Sequence, residues 1–596
     1  MRRWGVLVLA AFLARPFRAA DLPDYSRGVN WFPKFWRAYS MPSVPRPNLA
    51  NSRMLLDMIQ GGKLDLSIAR LDQLVEQNSL DLIAARYDVD IAETDILRAK
   101  SGQAARGVPG AGLPVELFSS AVGAGVGAAS SFIGGGTGPA AISGSGRQVN
   151  VSPHGTFDPD IQVVFSFDHA SSPLNTLQVA GVSTVTTPST DVLTRFEKQF
   201  SEGFSFSVSF NSQRQSSTQR FLLFDPAYTS RLSISAVQPL LNGFGFAVNR
   251  RFLNIAHNDL KIAREAFRQS VSTALINSQN AYWNLVAARQ NVESVRHALE
   301  TAEKLYENTR AQEKYGAAAY LDVMQAQSAV AASRRDLVAA EAAARTQELQ
   351  LKSLISKHID ALANVELVTT DSLPEPSPTD IPPLPQALQT AAANRSELVQ
   401  ADLNIRNREI AEKFTRSALR PTLNVFASYA SSALETGISP MLGQVWWNIP
   451  YPEYAAGISL TIPLRNRSAQ ADNIRARLEL RQERTARLRT LNQIDLSVQT
   501  AVIALTQAKA QVEAARLAVE SSRTAFQAEQ QKLAVGASTP YLVIQFERDL
   551  VAAQAAQTVA QVNYAKARIQ LDQARGVVLQ RNHISVDDVL RITAQR

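Results

Sequence analysis

The chain carries one pattern twice, and that repetition constrains its fold more than any other feature. Tyr315-Gly316-Ala317-Ala318-Ala319-Tyr320-Leu321-Asp322-Val323-Met324-Gln325 returns loosely as Val535-Gly536-Ala537-Ser538-Thr539-Pro540-Tyr541-Leu542-Val543-Ile544-Gln545, with Gly316 and Gly536 220 residues apart. Upstream, Ile234-Ser235 and Pro239-Leu240-Leu241-Asn242 match Ile458-Ser459 and Pro463-Leu464-Arg465-Asn466 at an offset of 224. Further upstream, Asn78, Asp81, Leu82, Ala85 and Glu93 match Asn394, Glu397, Leu398, Ala401 and Glu409 at an offset of 316. Three matches in the same order across most of a chain describe one supersecondary unit used twice. The drop from 316 to 224 puts 92 extra residues in the first half, between its opening helix and Ile234. That stretch holds the Gly-rich run Gly123 to Gly146, which reads as a long or partly disordered loop.

The resulting division is a first repeat over 61–365 with a Gly-rich insertion near 105–160, a Pro-rich linker over 366–383, and a second repeat over 384–577. An extended N-terminal segment covers 21–60, and 578–596 is a tail. The linker assignment rests on Thr369 to Pro385, whose prolines, serines and aspartates cannot continue a helix.

Within each repeat a heptad seam predicts a long helix. Leu285, Ala288, Val292, Val295, Leu299, Ala302 and Tyr306 are spaced alternately three and four apart. Leu491, Ile494, Val498, Ala501, Leu505, Ala508, Val512, Ala515, Val519, Ser522 and Phe526 keep the same spacing, in register at the offset of 220. A sustained 3.5-residue period makes helices supercoil left-handedly against neighbours. After Gly316 a second helix returns with Val323, Val330, Leu337, Ala344 and Leu351. Gly316 and Gly536 are then the tips of two helical hairpins, because glycine ends a helix at positive φ with little cost. The outgoing helices, near 243–314 and 468–534, reach roughly 100 Å at 1.5 Å per residue.

Between the helices the period changes to two. Ile161, Val163, Phe165 and Phe167 alternate with Gln162, Val164, Ser166 and Asp168; Phe204, Phe206, Val208 and Phe210 alternate with serines. Leu423, Val425 and Tyr429, then Ile458, Leu460 and Ile462, repeat the scheme more weakly. Apolar and polar faces of this kind suit a wall between lipid and a watery lumen, and they suit a soluble sandwich equally well. In the membrane reading about four strands per chain cannot close a barrel alone, and open edges are forbidden in lipid, so several chains share one barrel. Trp446, Trp447, Tyr451 and Tyr454 are candidates for an interfacial aromatic belt or for a packed loop.

Composition narrows the function classes. Met1-Arg2-Arg3, the apolar run Trp4 to Ala14 and the small residues before Asp21 read as a secretory signal peptide over 1–20. The absence of cysteine removes disulfides, thiolate metal sites and a cysteine nucleophile. The net charge of +8 is spread among Glu and Asp on helical stretches, which argues against nucleic acid. The six histidines, His154, His169, His257, His297, His358 and His583, show no metal-binding spacing. There is no phosphate loop and no nucleophile elbow, so no enzyme, cofactor or metal is expected. A structural periplasmic coiled-coil rod without a channel is the alternative that the heptads alone allow.

The combination of a signal peptide, paired helix–strand–strand–helix units and Pro-Leu steps at Gln238-Pro239-Leu240 and Ile462-Pro463-Leu464 resembles the TolC-like outer-membrane factor family over about residues 61–577. The resemblance implies an α+β membrane protein. Three protomers would share a twelve-stranded outer-membrane barrel, continuous with a long periplasmic α-helical coiled-coil barrel. It implies an exit duct for efflux or type I secretion, with outer-membrane lipid, a periplasmic adaptor and an inner-membrane transporter as partners and a Gram-negative envelope as its location. Family tips carry Gly-x-x-x-x-x-Asp-Val. Gly316 with Asp322-Val323 fits that pattern, which implies adaptor docking at Gly316 and Gly536 and a pore constriction at Asp322. The second copy has Leu542-Val543 at the matching step, so it lacks the second aspartate. Read from its own position after the glycine turn, Asp322 is equally a helix cap.

Overall fold

The computed structural model describes residues 24–29, 33, 35–40, 44–107, 157–315, 319–449, 451–535 and 537–594. The expected signal peptide, the Gly-rich run and both tip glycines, Gly316 and Gly536, lie outside the described residues. In chain order the elements are α1 (Arg53–Asp57), β1 (Ile59–Gln60), β2 (Lys63–Leu66), α2 (Ile68–Asn78), α3 (Leu80–Lys100), β3 (Asp160–Pro173), β4 (Thr184–Gln199), β5 (Ser205–Gln215) and β6 (Ala227–Pro239). They continue with α4 (Phe246–Asn249), α5 (Arg251–Lys314), α6 (Tyr320–Ile355), β7 (Glu366–Thr369), α7 (Leu384–Asn394) and α8 (Ser396–Ala418). The rest are β8 (Thr422–Glu435), α9 (Ile438–Gly443), β9 (Tyr451–Thr461), α10 (Arg467–Ala534), α11 (Pro540–Arg575), α12 (Val578–Arg581) and α13 (Val586–Ala594). Two helices, a set of strands and two long helices thus follow one another in each half.

The outgoing helices α5 and α10 have 64 and 68 residues and span roughly 95–100 Å. The α10 seam is buried from Ile494 through Val498, Ala501, Leu505, Ala508 and Val512, against Ala387 and Ala391 of α7 and Tyr564 and Leu571 of α11. Alanine at Ala501 and Ala508, facing Ala387 and Ala391, lets the helices approach closely. On α5 only Leu285 and Ala302 of the expected seam are fully buried; Ala288, Val292, Val295, Leu299 and Tyr306 are half-buried. The deepest core lies nearer the start of α5, where Phe267, Val271, Leu275 and Tyr282 pack with Leu66, Leu71, Leu74 and Leu82.

The paired helix junctions explain the upstream sequence match. α2 ends at Asn78 and α7 at Asn394, and each is followed at once by a second helix that buries Leu82 or Leu398. The Asn78 Oδ1 accepts the Ser52 N–H at 2.8 Å, and the Asn394 Oδ1 accepts from the Gln580 amide at 3.3 Å. The segment between the halves opens with β7, which pairs in parallel with β2 beside β1. The Tyr282 hydroxyl ties this small sheet to α5 by donating to the Leu66 carbonyl at 3.1 Å.

The large sheet corrects the expected strand count. It has six strands in the order β3-β4-β5-β6-β8-β9, every neighbouring pair antiparallel, where about four were expected. The first-half counterparts of β8 and β9 are β5 and β6. The Ile161–Phe167 alternation belongs to an additional hairpin, β3–β4, that precedes them. Thr186, Thr190, Thr194 and Lys198 dilute the apolar face of β4, so its periodicity is weak in sequence. Pairing with β3 over fourteen residues and with β5 over eleven holds it as a strand.

Candidate functional site: an amphipathic wall and two hairpin tips

Cross-strand register sorts the side chains of the large sheet into two faces. One row runs Ile161, Phe196, Val208, Ile234, Tyr429 and Tyr454 from edge to edge, apolar on every strand. The next row, on the opposite face, runs Asp160, Glu197, Ser207, Ser235, Ser428 and Ala455. Serine hydroxyls pair across β5 and β6 on that polar face, Ser207 with Ser235 and Ser209 with Ser233, each at 2.6 Å. Arg195 pairs there with Glu197, and Arg231 of β6 reaches Glu453 of β9. This is the alternation of a wall that separates hydrocarbon from water.

The two ends of the sheet differ as well. The long helices meet the sheet at one end, where β6 runs toward α4 and α5, α8 leads into β8, and β9 runs on to α10, whereas short α9 lies in the connection at the other end. At that end the β4–β5 connection is a five-residue turn, Phe200 to Phe204, with Gly203 at φ +98°. The long connections 174–183, 216–226 and 436–450 lie at the far end. Short turns on the helix side and long loops on the other follow the usual asymmetry of outer-membrane barrels. In the last loop Met441 and Val445 are buried against Leu232 and Ala433, and the Trp446 ring lies 6.2 Å from that of Phe210. Trp447 and Tyr454 are exposed. Trp446 rests one side on Phe210 and is 52% exposed, so it remains free to meet an interface together with Trp447 and Tyr454.

At the other extreme of the molecule the two helical hairpins turn. α5 stops at Lys314 and α6 starts at Tyr320; α10 stops at Ala534 and α11 starts at Pro540. The turns lie side by side, because Leu305 and Ala329 of the first hairpin form one cluster with Val543 and Ile544 of the second. Asp322 is half-buried at the third position of α6, and its carboxylate accepts the Ala319 N–H at 3.1 Å. That is a helix-capping contact, favourable for a carboxylate at a helix start. In the second turn Glu529 takes hydrogen bonds from the Ser538 hydroxyl and from Lys532, a brace formed by residues that sequence reasoning passed over. Only proximity in the folded tip marks them, since Glu529 is one of many glutamates on α10. Glu547 of α11, facing Thr301 of α5, is pushed up to about 7 by burial.

A wall of this pattern on helices about 100 Å long has known counterparts, and the family model described as outer membrane efflux protein matches residues 203–357 and 387–577, more than half of the chain. The chain belongs to the outer membrane efflux protein family. Over 327 residues it is 27% identical to the pyoverdine export outer membrane protein OpmQ of Pseudomonas aeruginosa, a match that takes in 53% of this chain and 64% of that protein. It therefore spans somewhat under two thirds of that relative's length. In fold it is similar to the CmeC outer membrane channel of Campylobacter jejuni, with TM-score 0.55, 12% identity and coverage of 98% and 97% of the two chains. It is also similar to the outer membrane protein VceC of Vibrio cholerae, with TM-score 0.54, 14% identity and coverage of 85% and 96%. This efflux-family protein is an outer-membrane protein of the Gram-negative envelope whose helical part extends into the periplasm. Its matched residues begin at 203, so β3 and β4 lie outside the family match.

Proposed function

We propose that three copies of this chain share one transmembrane barrel and form the exit duct of an efflux or type I secretion system, not an enzyme. The observation that carries this reading is the six-stranded amphipathic sheet with two open edges. Unpaired backbone at such edges is prohibitively costly in lipid, so several sheets must close on one another, and cyclic symmetry is the simplest closure. The Ile161-to-Tyr454 row then faces lipid and the serine rows face the lumen. The hairpins of α5–α6 and α10–α11 form the wall of a periplasmic tunnel.

Two repeat units, 61–365 and 384–577 joined by 366–383, supply the two hairpins per protomer. Gly316 and Gly536 at their turns present small residues such as Ala317, Ala537 and Ser538 to a periplasmic adaptor, which couples the duct to an inner-membrane transporter. Asp322 combines its cap with a place in an anionic ring at the constriction. Purified protein in a planar bilayer tests the reading: discrete conductance steps from a detergent-stable trimer are expected. A conducting monomer, or an inserted trimer without conductance, overturns it and in the second case favours a structural rod. Gly316→Val with Gly536→Val should insert and conduct yet fail to support export with native partners; normal export would remove docking from these turns.

A further inference from the structure

The β3–β4 hairpin is built into the wall at every level the structure shows. Its apolar row continues that of the other four strands without a break, Ile161 to Phe196 to Val208, and so does its polar row, Asp160 to Glu197 to Ser207. Its turn toward β5 sits on the helix side, as barrel turns do.

Both ends of the hairpin are fastened. At the helix end, Gly245 donates to the Glu202 carbonyl at 3.1 Å and Arg250 to the Ser201 hydroxyl at 2.9 Å. A Cβ at Gly203 would stand 2.7 Å from the Gly243 carbonyl oxygen, so this turn is pressed onto the connection that leads from β6 into α4. At the far end, the Arg220 N–H donates to the Ala180 carbonyl at 3.1 Å and the Thr218 N–H to that of Thr186 at 3.2 Å, which stitches the β5–β6 loop to the β3–β4 loop.

This placement occupies the edge of β5. A closure that used only β5, β6, β8 and β9 would set β5 against the neighbour's β9 and would have to break the eleven-residue ladder between β4 and β5. The free edges are instead β3 and β9. β3 is exposed along all fourteen residues, with Ile161 at 67% and Phe165 at 71%; on β9 Tyr454 is at 83% and Ile458 at 71%. With 14 and 11 residues both strands are long enough to cross a bilayer at the usual tilt. Six alternating strands make β3 and β9 run in opposite directions, so β3 of one copy lies antiparallel to β9 of the next, like every pair inside the sheet. Their faces agree as well: lipid-side Ile161, Val163 and Phe165 against Tyr454, Ile458 and Leu460, and lumen-side Gln162 and Ser166 against Glu453 and Ser459.

We propose that each protomer contributes all six strands, and that β3 pairs with β9 of the neighbouring copy to close an eighteen-stranded barrel from three sheets. This rests on the shared-barrel reading above and changes its dimension. Barrel diameter grows roughly in proportion to strand number, so the lumen is about half again as wide as with twelve strands. The restriction on passage then lies in the helical tunnel and its tips.

Because the chain has no cysteine, engineered pairs report the seam cleanly. Ser166→Cys in the middle of β3 is combined in turn with Glu453→Cys, Ala455→Cys and Ser459→Cys on the lumen side of β9, and the membranes are oxidised. At least one pair should give covalent dimers and trimers on a denaturing gel. Ser207→Cys on β5 with the same three partners should give none. Cross-linking through Ser207 and not Ser166 overturns the eighteen-stranded closure and leaves the shared barrel standing. No cross-link in either series while a native gel shows a trimer overturns the seam. No cross-link together with a monomer on the native gel overturns the shared barrel itself.

Discussion

Replacing Gly203 with alanine tests whether the β4–β5 turn is as tightly seated as the structure shows. At φ +98° a side chain is strained whatever the space around it, by about 1–3 kcal/mol for a sparsely populated backbone region. Its new Cβ would also meet the Gly243 carbonyl oxygen at 2.7 Å and the Pro239 ring at 3.0 Å. Neither is a flexible side-chain end, so the turn or the connection into α4 must move, at a further cost of about 1–3 kcal/mol by analogy with overpacking. Gly245, at φ +95° and with nothing within 4 Å of its Cβ position, supplies the control that bears strain alone. The thermal midpoint for loss of the native trimer, followed on unboiled gels after stepwise heating, should fall in the order wild type, Gly245→Ala, Gly203→Ala. If Gly203→Ala melts with or above Gly245→Ala, the turn is not pressed against Gly243 and the hairpin is more loosely held than described.

Three further outcomes follow from buried and half-buried groups elsewhere. Leu505 is fully buried in the α10 seam, so Leu505→Ala should cost about 2–5 kcal/mol and Leu505→Asp more, as a loss of folded trimer; an aspartate variant as stable as the parent would refute the seam. Burial raises Asp72 from its ordinary value of 3.8 to about 7, although the Gln279 amide donates to both of its oxygens at 3.1 and 2.9 Å. A carboxyl raised on folding stabilises the fold below about pH 4, and that contribution is lost as pH rises to about 7, a span worth at most about 4 kcal/mol. Asp72→Asn should therefore melt higher than wild type at pH 8 and flatten the pH profile; equal curves would place the charge in water. Asp322→Asn keeps an oxygen for the Ala319 N–H and removes the charge, so it should leave the melting midpoint unchanged and lower cation preference in bilayer recordings. Unchanged selectivity would leave Asp322 with its cap alone.

The long helices and their seams were legible in the sequence because period and register are local properties. Leu491 to Phe526 keep a 3.5-residue spacing that only a packed helix uses, and the buried stretch from Ile494 to Val519 follows it. The ends of the outgoing helices were equally legible, since α5 stops at Lys314 and α10 at Ala534, each two residues before the repeated glycine. Family membership came from the same source, through the order of the repeated unit.

The wall's extent was decided only by tertiary structure. β4 alternates Thr, Ser and charge with few apolar residues, and its strand character comes from the ladders on either side, which pair residues across gaps that the sequence leaves unspecified. The same holds for Trp446, an aromatic-belt candidate by position that the fold places against Phe210, and for Glu529 and Ser538, which meet only when the turn forms. Sequence records what each residue prefers within a turn or two. Which strand lies beside which, and therefore where the sheet ends, depends on contacts between residues far apart in the chain, and here it adds β4 and leaves β3 and β9 as the open edges.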